Sequence, residues 1–186
     1  ALERLAESGE THRIMRRHAE CLLGMLEAFA AADAHTMPNV HALAEARLEL
    51  DNLRAALTMA AREDDALAVA LMAHSWRVWC GSWQLGEGLE RGLALRHCLR
   101  EDMPPAVVAR FWLTLASMGI YSNRREAYDA ARRAADLFRT LGNDTLRFDA
   151  LFMAAVMGIR FSTLEEMIGF MTEAERLLPA EASARQ

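Results

Sequence analysis

Apolar residues recur at three- and four-residue spacing along almost the whole chain, and the positions between them are filled by Ala, Arg, Glu and Met, all strong helix formers. No stretch alternates Val, Ile, Thr and aromatic residues with polar ones, and no Asn-Gly or Asp-Gly dipeptide marks a β-hairpin. The pattern predicts an all-α protein of about eight helices. The first spans 10–33 after a break at Gly9, with Ile14, Cys21, Leu22, Met25, Leu26 and Phe29 on its apolar face. A polar, proline-marked connection, DAHTMPN at 33–39, leads into a second helix over about 40–62.

From there the turn signals become regular. Gly81-Ser82, Ser122-Asn123 and Ser162-Thr163 fall about forty residues apart, and Asp102-Met103-Pro104-Pro105, Gly142-Asn143-Asp144 and Leu178-Pro179 alternate with them at nearly the same interval. Two interleaved turn series with one period are what stacked helical hairpins produce, one series inside each hairpin and the other between hairpins. Gly119 and Ala131 have the separation at which tetratricopeptide-type repeats place the small residues that let two helices approach, and Tyr128 and Phe138 add bulk. In the third hairpin Ala154 is the candidate for the role of Gly119, but Met167 near the matching second position spoils the pattern. In the first hairpin Gly88 and Gly92 are the small residues, while Trp76, Trp79 and Trp83 crowd the first helix and its turn. The expected fold is a tetratricopeptide-like, right-handed superhelix of antiparallel hairpins. Three degenerate hairpins occupy 63–179, N-terminal helices occupy 1–62, and 180–186 form a disordered tail.

Composition narrows the chemistry. All 21 strong bases are Arg, so Schiff-base, phosphate-loop and general-base lysines are excluded. A formal charge of −5 on a mixed surface argues against direct nucleic-acid or anionic-membrane binding, and the basic runs at Arg13, Arg16, Arg17 and at Arg124, Arg125, Arg132, Arg133 read as solvated helix faces. No helix with clustered Arg and Asn or Gln stands out as a recognition helix. Cys21, Cys80 and Cys98 are an odd set without CxxC spacing, which points to reduced thiols in the cytoplasm and away from disulfides or zinc. The longest apolar run, LFMAAVMGI at 151–159, is too short to span a bilayer. The chain opens at Ala1 with LERLAES already helical in character, so a segment of a longer polypeptide is expected.

Candidate chemistry is sparse. His18 with Cys21 and His41 with Glu45 each lie one helical turn apart, yet neither pair has a third ligand, so no metal or other cofactor is expected. His97 and Cys98 are adjacent and so are expected to point apart, and His74, among Leu71, Met72 and Trp76, reads as a hydrogen-bonded, half-buried residue. Asp64-Asp65 and Glu165-Glu166 stand where acids cap helices. No HExxH, G-x-S-x-G or glycine-rich phosphate loop is present, and a non-enzymatic protein is expected. The densest cluster is WRVWCGSW. Trp76, Trp79 and Trp83 either fill the junction between hairpins or form an aromatic patch for an effector or partner, with Arg77 pairing a partner's acid.

Asp51-Asn52 interrupts the apolar rhythm of ARLELDNLRAALTMAAR, although both are poor residues inside a helix. LELDNLRAALTMAAREDDALAVALMAHSWRVW resembles a segment, often close to E-H-D-N-L-R-A-A-L, of bacterial transcriptional regulators of the STAND class, the signal-transduction ATPases with numerous domains, which carry winged-helix or LuxR-type DNA-binding domains. ERLAESGETHRIMRRHAECLLGMLEAF is similar to the linker leaving the nucleotide-binding module of that family, and GEGLERGLAL to a later helix. The resemblance covers residues 2–95 and implies the helical-repeat sensor region of such a regulator. It would bind a protein or small effector on its superhelical face, act on ATPase and DNA-binding units of the same chain, and take part in self-association. The matching residues are Asp51, Asn52, Leu53, Arg54, Ala55, Ala56 and Leu57, with Leu50 where the family often has His. Asp51 and Asn52 are expected to fix the crossing of their helix against its neighbours. The competing reading is a free-standing tetratricopeptide adaptor that scaffolds other proteins.

Overall fold

The structure, a computed structural model, describes residues 11–32 and 40–178. The Gly9 break, the 33–39 connection and the expected tail at 180–186 lie outside the described residues. Every regular element among the described residues is helical. In chain order they are α1 (Thr11–Ala32), α2 (Val40–Ala46), a 3-10 turn (Arg47–Glu49), α3 (Leu50–Glu63), α4 (Asp65–His74), α5 (Trp76–Gly81), α6 (Leu85–Ala94), a second 3-10 turn (Leu95–Cys98), α7 (Pro105–Gly119), α8 (Arg125–Leu141), α9 (Asp144–Phe161) and α10 (Leu164–Leu177).

Helices end where the two turn series fall, and four of the starts have a local cause in the side chains there. The Asp64 carboxylate accepts from Leu67 N at 3.0 Å and opens α4, and Asn143 Oδ1 accepts from Leu146 N at 3.1 Å and opens α9. Thr163 and Glu166 form a reciprocal capping box at the start of α10. Pro105 occupies the first turn of α7, where its missing N–H costs nothing.

Two helices expected to be continuous are broken. The 40–62 helix passes through the 3-10 turn at Arg47–Glu49, so Asp51 and Asn52 lie in the first turn of a new helix, where short polar side chains and negative charge are favoured. Their apparent misplacement is thereby resolved. The helix before Gly81 breaks at Ser75, which separates α4 from α5.

Packing runs as a stack of neighbours. α1 lies against α3 and α4, α2 against α5, α4 and α6 against α7, and then α7 against α8, α8 against α9, and α9 against α10. One apolar core extends from Ala19 to Ala174 and passes through residue 62 without a gap. On α1 only part of the expected face is covered by the described residues: Leu22 and Leu26 are buried, Met25 and Phe29 are half-buried, and Ile14 and Cys21 are exposed.

The close approaches use glycine. A methyl at Gly119 would fall on the Cβ of Ala127, so α7 and α8 touch backbone to backbone at their shared turn, and Ala131 is buried one turn further along α8. In the last hairpin this role belongs to Gly158, whose Cβ would meet Ser162 Oγ and, at 3.3 Å, Met167 Cγ, and not to Ala154, which is an ordinary buried alanine. The turn chemistry matches as well: Ser122 Oγ donates to the Gly119 carbonyl at 2.6 Å and Ser162 Oγ to that of Gly158 at 3.0 Å. Gly88 and Gly92 serve as expected, against Trp79 and Met118 and against Leu115.

Candidate functional site

The four residues expected to form one patch are divided between core and surface. Trp79 is 0% exposed; its Nε1 donates to Ser75 Oγ at 2.8 Å, and Ser75 Oγ donates in turn to the Met72 carbonyl at 2.8 Å. One hydroxyl thus satisfies both the buried indole and a carbonyl at the α4–α5 break. Arg77, 7% exposed, lies 4.6 Å over the Phe29 ring centroid and donates from Nη2 to the Phe29 carbonyl at 3.3 Å. It fastens the end of α1 to α5 and does not face outward toward a partner's acid. At the other end of α1, Arg16 Nη2 reaches Asp64 Oδ2 at 2.6 Å. Trp76 is half-buried. Of the expected patch only Trp83 stands on the surface, 88% exposed. Trp76 and Trp79 lie three apart on α5, and the left-handed turn after Gly81 carries Trp83 off that helix to the surface, which a single continuous helix would not do.

Trp83 has φ 56°, the one positive φ among the described non-glycine residues. Its N–H donates to the Cys80 carbonyl at 3.1 Å, and the next N–H, of Gln84, reaches back to the Trp79 carbonyl at 3.0 Å. That pair of bonds is a Schellman helix end. The end of α8 repeats it, with Gly142 N to the Arg139 carbonyl at 3.2 Å and Asn143 N to the Phe138 carbonyl at 3.0 Å, and there the left-handed residue is Gly142, φ 66°. A tryptophan therefore sits where the motif takes glycine. In the corresponding turn of the next hairpin Tyr121 is 89% exposed. Sequence reading did not single out Tyr121, although a large aromatic beside the turn serine, Ser82-Trp83 and Tyr121-Ser122, was the available signal.

The family-motif residues are placed differently from expectation. Leu53 and Leu57 are core. Asp51 and Asn52 do not fix a helix crossing. Asn52 Nδ2 donates to Glu49 Oε2 at 2.7 Å, and Asp51 Oδ1 accepts from Arg54 Nη1 at 3.0 Å, both within their own segment. Arg54 is the residue that crosses. Its Nε donates to Glu87 Oε1 at 2.9 Å and its Nη2 binds Glu87 Oε2, a two-point contact from α3 to α6 that Arg91 Nε joins at 2.8 Å. The Arg54 hydrogen bonds first, and Arg91 after them, hold the Glu87 carboxyl down at about 2. Because the folded-state pKa is depressed, the contribution is complete above about pH 4.5 and is lost as pH falls toward 2. Glu87→Gln should lower the urea midpoint modestly at neutral pH, as a half-exposed ion-pair network does. Its deficit against the parent should shrink steadily below pH 4.5; a deficit independent of pH would refute the network.

Other candidates are committed to structure. A depression of about 380 Å³ between α1 and α3 is lined by His12, Met15, Arg54, Thr58, Met59 and Glu63, but Arg54 is held by Glu87 and His12 Nδ1 lies 3.3 Å from Glu63. His74 is half-buried as expected, with Nδ1 2.9 Å from the Ala70 carbonyl, and burial pushes its pKa down. His97 and Cys98 do meet, Nε2 to Sγ at 3.4 Å, within the second 3-10 turn, contrary to the expectation that adjacent residues point apart. Burial, and then Asp65, push the Cys98 thiol up to about 11, so it is a protonated core thiol and not a nucleophile. Among the described residues no cluster of three or more His, Cys, Asp or Glu could hold a metal ion, and no helix is long and apolar enough to cross a membrane. Comparison of the chain with family models, with curated proteins and with solved structures finds no match.

Proposed function

We propose that this chain is a non-enzymatic sensor and protein-interaction module, the helical-repeat region of a bacterial STAND-type ATPase transcriptional regulator, which receives a partner or effector and controls attached ATPase and DNA-binding units. The observation that carries the interaction reading is Trp83: a nearly fully exposed indole held at a left-handed helix end, where folding alone favours glycine. Tyr121 extends the same kind of exposed aromatic to the next turn of the stack. Aromatic side chains of this sort supply large, rigid contact area at low entropic cost. The resemblance over residues 2–95 supplies the regulator context.

Intrinsic fluorescence tests the reading, because Trp83 reports on its own surroundings. Titration with a library of peptides and metabolites should find a ligand that gives a saturable shift, and Trp83→Ala should abolish that shift while changing stability by no more than about 0.5 kcal/mol. A binding signal that survives Trp83→Ala would move the site off this edge.

A further inference from the structure

Six arginines among the described residues are buried or half-buried, and five of them are held by an acceptor of the chain. Arg54 and Arg91 bind Glu87, Arg124 binds Glu90 and Glu126, Arg147 binds Glu173, and Arg77 donates to the Phe29 carbonyl. Arg110, half-buried on α7, forms no hydrogen bond, ion pair or ring contact among the described residues. Its guanidinium carries a full charge and five N–H donors into a partly covered place, where water supplies fewer acceptors. Burial pushes its pKa down from the ordinary value, the sign of a charge short of solvent. A half-buried guanidinium without an acceptor costs stability, so packing alone would favour an uncharged side chain there.

Arg110, Thr114 and Ser117 recur at helical spacing on one side of α7. Thr114 Oγ1 donates to the Ala73 carbonyl of α4 at 2.8 Å, and Ser117 Oγ donates to Met153 Sδ of α9 at 3.4 Å. Arg110 therefore stands on the strip of α7 that joins α4 to α9, one turn before the first of these bonds. His74 of α4 is its neighbour: the ring turns back so that Nδ1 lies 2.9 Å from the Ala70 carbonyl, and the Arg110 charge acts on it, opposed by Glu27 of α1. Neither Glu27 nor the half-buried Asp149 of α9 pairs with Arg110. The local charge is thus one fixed guanidinium, an imidazole that burial keeps neutral at pH 7, and Glu27 beyond it. A single positive charge on a planar fork matches a carboxylate, whereas a dianionic phosphate would bring a second negative charge that nothing here offsets. We propose that Arg110 anchors a binding site for a ligand carboxylate on the face shared by α4 and α7, its fork taking both oxygens with His74 alongside. This site does not use the Trp83 edge and does not depend on the proposed function.

The His74 ring is a reporter for the test, its NMR signals identified by their loss in His74→Gln. The chain is titrated at constant ionic strength with sodium succinate, with a pentapeptide of alanine and leucine that ends in a free carboxylate, and with the amide of that peptide. Succinate or the free-acid peptide should displace the His74 signals saturably, and the amide should not. In the bound state the His74 pKa should rise, because the carboxylate offsets the Arg110 charge that lowers it. A response to succinate identifies the source as a free organic acid, and a response to the free-acid peptide alone identifies a chain terminus. Arg110→Gln should weaken binding about tenfold or more while leaving the circular dichroism spectrum unchanged. Arg110→Lys, which keeps the stem and the charge but loses the fork, should weaken it as well, and it serves if the Gln variant folds poorly. Signals that move no further than in sodium chloride, that follow the amide equally, or that respond unchanged in both Arg110 variants overturn the proposal.

Discussion

Trp79→Ala should destabilise the fold by about 3–5 kcal/mol, the range for deleting a fully buried tryptophan. At about 2–4 °C per kcal/mol for a chain of this size, the melting temperature should fall by about 6–20 °C. Three losses add together. The indole fills the space against which Gly88 packs, so its removal opens a cavity between α5 and α6. The Ser75 hydroxyl, fully buried, loses the donor it accepts from at 2.8 Å. The α4–α5 break, organised around that hydroxyl, loses its filling. Trp79→Phe should recover most of the packing but not the hydrogen bond, and so fall between the two. Chemical unfolding followed by circular dichroism measures all three proteins, and an Ala variant as stable as the parent would show that Trp79 is not core.

Gly119→Ala should cost about 1–3 kcal/mol, although alanine is the better helix former. A methyl at 119 would occupy the place of the Ala127 Cβ, and neither carbon can rotate away because both are fixed to helical backbone. α7 and α8 must separate for the methyl to fit. Gly24 of α1 provides the control: it is exposed with nothing within 4 Å of an added Cβ, so Gly24→Ala should stabilise by about 0.5–1 kcal/mol. The opposite signs, read from two urea midpoints, separate a steric requirement for glycine from mere tolerance of it. A stabilising Gly119→Ala would refute the backbone contact.

How far the sequence could be read follows from the range of the interactions involved. Turns were legible because their causes are local: Asp64, Asn143 and Thr163 cap the helices that follow them through bonds to residues three positions on. The helical hairpins followed from the spacing of those turns. The breaks at Arg47–Glu49 and Ser75 were not legible, since no Gly or Pro stands at either and the interruption depends on which neighbours α2, α3, α4 and α5 pack against. The site was less legible still. Trp76, Arg77, Trp79 and Trp83 share eight residues of sequence but end in three environments, because the first three sit at different angles around the short helix α5 and Trp83 is itself the left-handed residue that ends it. Arg54 belongs to the DNLRAAL motif, but its partner Glu87 is in another helix and nothing in the local pattern joins them. Ala154 and Gly158 stand one turn apart on α9, and only the packing of Gly158 against Ser162 and Met167 across the turn tells which of them makes the close approach.

The two Schellman ends found among the described residues place different residues at the same left-handed position. At residue 142 glycine satisfies the backbone and presents nothing to the solvent; at residue 83 the backbone geometry is the same, and an indole is kept there against the preference of the turn. The fold would be relieved by Trp83→Gly, and the surface would lose its largest aromatic feature in the same step. Stability alone would favour glycine at this position, and the proposed contact with a partner is the demand that would keep the indole there.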